Sequence, residues 1–134
     1  MNEIEKLEEN VRDLKVLFVD DEEAIREGTT TILKKFFDDV VVCTDGVDGL
    51  EEFLKAKDFD IVITDIMMPK MDGISMVKKI KEINNDIFTI FITASRSGLA
   101  NHQELSDVLL KKPISFEDII MIMKKVENLK SKKN

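Results

Sequence analysis

An α/β fold with a doubly wound, mostly parallel sheet is what this sequence predicts, and two observations carry the prediction. Five short apolar runs rich in β-branched residues, at 16–19, 40–43, 61–64, 87–93 and 108–110, read as buried strands. The segments between them carry single apolar stripes at helical spacing. Strand and helix in alternation imply right-handed crossovers, which set the strands parallel and place helices on both faces. In such sheets ligands sit at the carboxyl ends of the strands, where the strand order reverses.

Taken in order, Ile4, Leu7, Val11 and Leu14 fall at helical spacing, so residues 2–14 predict an extra amphipathic helix that packs on the domain or frays, with a dimerisation helix as the competing reading. The strand at 16–19 follows, and Ile25, Thr29, Ile32 and Phe36 then mark the stripe of a helix. Val47, Leu50 and Leu54 mark the helix after 40–43, and Ile74, Val77 and Ile80 the one after 61–64. Between the fourth and fifth strands only 94–107 remain, room for a short helix over 99–105. Phe116, Ile119, Ile120, Met123 and Val126 form the closing helix; Ser115 can cap it, and Glu117 and Asp118 suit its first turn. The final KSKKN is polar and reads as a solvated tail. The chain thus divides into a helical extension at 1–14, one domain at 15–128 and a basic tail at 129–134.

At 134 residues the chain suits one domain, and its net charge of −7 disfavours a nucleic-acid binder, which needs clustered Lys and Arg. The lone Cys43 excludes an intrachain disulfide and a cysteine-rich zinc site. The acidic N-terminus does not read as a secretory signal, and no apolar run reaches the length of a membrane span. The expected location is the cytoplasm, with no membrane and no nucleic-acid partner.

The chemistry lies at the strand ends. The first strand runs into Asp20 and Asp21, and the third into Asp65, so a parallel sheet gathers three carboxylates on one rim. Two carboxylates ~4 Å apart repel by roughly 4 kcal/mol at an effective dielectric near 20, so the cluster needs a counter-charge. A divalent cation supplies it, and a site of few carboxylates with open water positions suits Mg²⁺. Asp20 or Asp21 could instead cap the helix starting near Glu22, with Asp20 and Glu23 spaced as a capping box. Asp65 is followed by the apolar Ile66, Met67, Met68 and Pro69, a stretch that gives an acid no structural task. The fourth strand ends in Thr93, with Ser95 and Ser97 beyond it, and the fifth leads to Lys111 and Lys112, of which alternation lets one face the rim. A nucleophilic carboxylate, further acids for a metal, a hydroxyl and an ammonium are what phosphoryl transfer to an aspartate requires, because its transition state is stabilised chiefly by positioning and charge neutralisation.

The segments VLFVDDEEAIREG, DIVITDIMMPKMDG, TIFITAS and LLKKPIS, in this order, resemble the receiver domain of bacterial two-component response regulators, over roughly residues 15–127. The resemblance implies the flavodoxin-like strand order 2-1-3-4-5. It implies Asp65 as phosphoacceptor, Asp21 as a direct Mg²⁺ ligand, Asp20 as a ligand acting through water, and the Met67 backbone carbonyl as a further ligand. Lys112 and Thr93 would each meet a phosphoryl oxygen, and the Lys112–Pro113 peptide would be cis. The implied partners are a sensor histidine kinase, as phosphohistidine donor, and a downstream protein target, with the chain a monomer or weak homodimer. It would be a regulator with at most slow autophosphatase activity. His102, alone in a polar stretch, is not the phosphohistidine.

Two features depart from the family pattern. The helix expected between the fourth and fifth strands would be shorter than the family's or poorly formed, and Leu109 stands where the family has an aromatic ring coupled to the threonine. Reorganisation of residues 94–106 is then the expected readout, with Met67 and Ser95 near the path of an attacking water. Two other functions compete. A phosphatase working through an aspartyl phosphate needs a second acid two residues past Asp65, where Met67 stands. A receiver-shaped interaction module working without phosphorylation is the other.

Overall fold

The computed structural model describes residues 1–94 and 105–133. Its elements run α1 (Glu3–Val11), β1 (Lys15–Val19), α2 (Glu23–Phe36), β2 (Asp39–Cys43), α3 (Gly46–Ala56), β3 (Ile61–Asp65), α4 (Gly73–Ile83), β4 (Phe88–Thr93), β5 (Val108–Lys111) and α5 (Phe116–Lys133). The strands pair in parallel in the order β2-β1-β3-β4-β5, as expected, so the winding reverses between β1 and β3. The short helix expected over 99–105, together with Ser95, Ser97 and His102, falls on residues outside those described, apart from Leu105 at its end.

The continuous apolar runs of the central strands follow from cover on both faces. Val16 and Phe18 of β1, Ile61 and Ile63 of β3, and Ile90 and Ile92 of β4 point into one layer, with Leu33 and Phe36 of α2 and Ile119, Ile122, Met123 and Val126 of α5. Their neighbours Leu17, Val19, Val62 and Phe91 point into the other, against Phe53 of α3 and Met76, Val77 and Ile80 of α4. Cys43 is buried in this second layer, where burial and then the Asp48 charge push its thiol up to about 12, as befits a core residue rather than a reactive one.

The predicted N-terminal helix forms and packs on α5. Asn2 caps it by accepting from the Glu5 N–H at 2.8 Å, and Leu7, Val11 and Leu14 are buried in the first layer. Polar contacts flank this seam: Lys124 pairs with Glu3 at 3.2 Å, and Asn10 Nδ2 donates to Glu127 Oε2 at 3.3 Å. The helix is therefore part of the core, and Leu7→Ala is expected to lower the unfolding free energy by about 2–3 kcal/mol. Urea denaturation followed by circular dichroism measures this; a loss under half a kcal/mol would mean that α1 frays in solution.

The closing helix starts at the residue the sequence marks. Ser115 Oγ accepts from the Asp118 N–H at 3.1 Å, and Asp118 Oδ2 accepts from the Ser115 N–H at 2.9 Å, a reciprocal cap. Its other end differs from the expectation of a tail at 129–134, because the helix continues to Lys133. Leu129 is half-buried against the first layer and carries the apolar stripe one turn past Val126. Among the described residues no helix is long and apolar enough to cross a membrane.

Candidate functional site

The sheet register brings the predicted groups to one rim. Val19 pairs with Thr64, so Asp20 leaves β1 beside Asp65 at the end of β3. Asp65 pairs with Ile92, and Thr93 pairs with Lys111, so the residues just past β4 and β5 continue the same edge. Asp20, Asp65 and Thr93 are all buried, unlike most polar residues of the chain. Thr93 accepts the Lys112 N–H on its carbonyl oxygen at 2.8 Å, which ties the two strand ends together.

Of the two lysines, Lys111 is exposed and Lys112 turns inward, with its side chain 5% exposed. Its ammonium donates to Glu22 Oε1 at 2.8 Å, Asp65 Oδ2 at 2.9 Å and Asp20 Oδ1 at 3.3 Å. The Lys112–Pro113 peptide is cis, as the family pattern implies. Asp65 Oδ1 accepts from the Ile66 N–H at 2.8 Å, so with Lys112 on Oδ2 the carboxylate is held at both oxygens, while the Thr64 hydroxyl donates to the Asp65 backbone carbonyl at 2.8 Å. Met67 follows in the loop to α4, its side chain fully outside the core.

The capping-box reading of Asp20 and Glu23 is not realised. Helix α2 has Glu22 at its N-cap without a side-chain cap, and Asp20 Oδ1 instead closes a tight turn onto the Glu22 N–H at 2.9 Å. That turn frees the Glu22 side chain to reach Lys112. Glu22 is the site residue that sequence reasoning missed, although a third acid directly after Asp20 and Asp21 was a visible signal. Leu109 lies opposite Phe91 in the register and packs against the second layer, where it fills space without a ring.

Ligand oxygens of Asp20, Asp21, Glu22 and Asp65 all lie within 4.8 Å of one another, and among the described residues the ammonium of Lys112 is the one that meets them. Burial therefore pushes the Asp65 carboxyl up to about 6, with the Asp20 charge adding to the rise and Lys112 opposing it. Burial alone would lower Lys112, but its hydrogen bonds to Glu22, Asp65 and Asp20 outweigh that and hold it above its ordinary value. Asp20 Oδ2 is buried and accepts no hydrogen bond, although Lys112 Nζ stands 3.1 Å away. Excess negative charge, all-oxygen donors and an orphaned carboxylate oxygen fit a hard divalent cation such as Mg²⁺.

Comparison with known proteins agrees with this arrangement. The response regulator receiver domain model matches residues 16–124. Protein PilG of Pseudomonas aeruginosa is 34% identical over 125 residues, which is 88% of this chain and 90% of PilG. The transcriptional regulatory protein DltR of Streptococcus agalactiae is 32% identical over 110 residues, 80% of this chain; the chain spans 49% of DltR, about half its length. Among solved structures, the response regulator TrrA of Thermotoga maritima, in complex with Mg²⁺-BeF, superposes with a TM-score of 0.73 at 26% identity, covering 84% of this chain and 98% of that one. With the acidic rim, the inward lysine and the strand order all in place, the chain belongs to the response regulator receiver domain family of two-component systems.

Proposed function

We propose that the protein is a signalling switch in which Asp65 accepts a phosphoryl group from a phosphohistidine on a sensor kinase and the change is passed on by contact with a downstream protein. The observation that carries this reading is the Asp65 carboxylate, fixed by the Ile66 N–H and by Lys112 inside a cluster of three further acids. An isolated structural ion pair has no use for the other acids.

The carboxylate oxygen of Asp65 attacks phosphorus as the phosphorus–nitrogen bond of the donor breaks, and the imidazole leaves with that electron pair and takes up a proton. Lys112 exchanges its bond to Asp65 for one to a phosphoryl oxygen, and the Thr93 hydroxyl donates to another. Asp20, Asp21 and Asp65, with the Met67 carbonyl, would hold Mg²⁺, which when bound neutralises charge on the phosphoryl oxygens. Met67 offers no proton-transferring group two residues past the acceptor. Hydrolysis of the acyl phosphate by water is accordingly slow, and the protein works as a regulator with weak autophosphatase activity.

TrrA, solved in complex with Mg²⁺-BeF, supports the same chemistry for this chain. Incubation with acetyl phosphate and Mg²⁺, read by intact mass, is expected to give a single phosphate adduct, absent in Asp65→Asn and absent in EDTA. An adduct that survives in Asp65→Asn, or none in the wild type, would sink the proposal.

A further inference from the structure

Three carboxylates take the three N–H donors of Lys112, and the shortest of these bonds goes to the one acid that is not buried. Glu22 stands at the N-cap of α2 with its side chain 54% exposed, yet it reaches Lys112 at 2.8 Å, against 2.9 Å for Asp65. Its carboxylate also lies within 4.8 Å of ligand oxygens of Asp20, Asp21 and Asp65. The arrangement depends on the Asp20 turn, which sets the Glu22 backbone N–H 2.9 Å from Asp20 Oδ1 and turns its side chain to the rim.

We propose that Glu22 is a positioning residue that acts on phosphoryl transfer through Lys112, restraining the ammonium in the resting site while adding to the charge that attracts the divalent cation. The inference rests on Asp65 being the phosphoacceptor. The two effects of Glu22 have opposite signs. For a cation, a fourth carboxylate at this distance is attractive. For an incoming phosphoryl group it is a like charge, and it occupies an N–H of Lys112 that the group needs. Removing the charge therefore weakens cation binding and, once the cation is saturating, speeds transfer. General damage to the site would lower both.

Glu22→Gln keeps the length and an acceptor oxygen while removing the charge, and Glu23→Gln removes an equal charge one residue along that is exposed and outside the cluster. Calorimetric titration with Mg²⁺ is expected to show about three- to tenfold weaker binding in Glu22→Gln. The initial rate of adduct formation with acetyl phosphate at saturating Mg²⁺ should rise about two- to fivefold in the same variant. Glu23→Gln should stay within about twofold of wild type in both, the size expected of a screened surface charge. A Glu22→Gln protein unchanged in both measurements, or slower at saturating Mg²⁺, overturns the proposal while the wild-type adduct still stands. A wild-type protein that takes no phosphate overturns this inference and the phosphoacceptor reading together.

Discussion

Lys112→Met is expected to destabilise the cation-free protein by about 3 kcal/mol at pH 7. Its side chain is 5% exposed and meets two buried acids, Asp20 and Asp65, so methionine fills the space but leaves four clustered carboxylates without an ammonium. The pH dependence follows from the two shifted groups. The folded-state value of Lys112 is raised, so its contribution to stability is fully present below the ordinary lysine value of 10.5 and is lost only as pH climbs beyond it. Asp65 is also raised, from 3.8 to about 6, so its contribution is present below 3.8 and is lost as pH rises through about 6. In EDTA the wild-type protein should therefore weaken between pH 4 and pH 7 on account of Asp65. In Lys112→Met that slope should steepen, because Lys112 is what opposes the rise of Asp65. Asp65→Asn should flatten it. Urea unfolding at pH 5 and pH 7, in EDTA and in Mg²⁺, measures all three, and the added cation should restore most of what Lys112→Met loses. A loss of the same size at both pH values, unaffected by Mg²⁺, would mean that packing rather than charge explains it.

How far the sequence discloses such a site depends on where each residue leaves its element. Asp20, Asp65 and Lys112 were legible because each directly follows or ends a buried apolar run, and parallel strands deliver their carboxyl ends to one rim whatever the loops do. Alternation says that only one of Lys111 and Lys112 faces the rim; the choice of Lys112 comes from the family motif. Glu22 was not legible, because its reach depends on a turn closed by a side chain of Asp20, and local spacing favoured a helix cap equally well. The N-terminal helix was readable from its period, but its partner α5 was not, since amphipathicity says that a face is covered and not by what. The polar KSKKN hides the true end of α5, because helix propensity and the half-buried Leu129 carry the helix further. The family motifs carried the rest: the resemblance assigned Thr93 and Met67 roles that spacing alone leaves open.

The glycines show how Asp65 is held from behind, and Gly73→Ala tests it with an effect comparable to that at the rim. Gly73 opens α4, and a Cβ built there would collide with the Asp65 carbonyl oxygen and stand 3.2 Å from Ile66 Cα. No rotamer relieves a contact between Cβ and backbone, so something in the main chain must move. The Gly73 N–H donates to the Ile66 carbonyl at 2.8 Å, and Asp72 caps α4 through the Ser75 N–H at 2.7 Å, so α4 and the end of β3 are fastened at this point. Either α4 withdraws, loosening Met76, Val77 and Ile80 from the second layer, or Asp65 shifts against Lys112. Gly46 braces the same loop from α3, since a Cβ there would stand 2.8 Å from the carbonyl carbon and Cβ of Met71. The expected cost of Gly73→Ala is about 2–3 kcal/mol, with Mg²⁺ affinity down at least about tenfold, or ~1.4 kcal/mol. Gly28, exposed in α2 with nothing near a built Cβ, gives the contrast: Gly28→Ala should stabilise by about 0.5–1 kcal/mol through helix propensity and leave Mg²⁺ binding alone. Urea unfolding and Mg²⁺ titration of the pair decide the matter. If the two alanines behaved alike, the close approach of α4 to Asp65 would have no part in fixing that carboxylate, and the rigidity of the site would have to come from Lys112 and the Ile66 N–H alone.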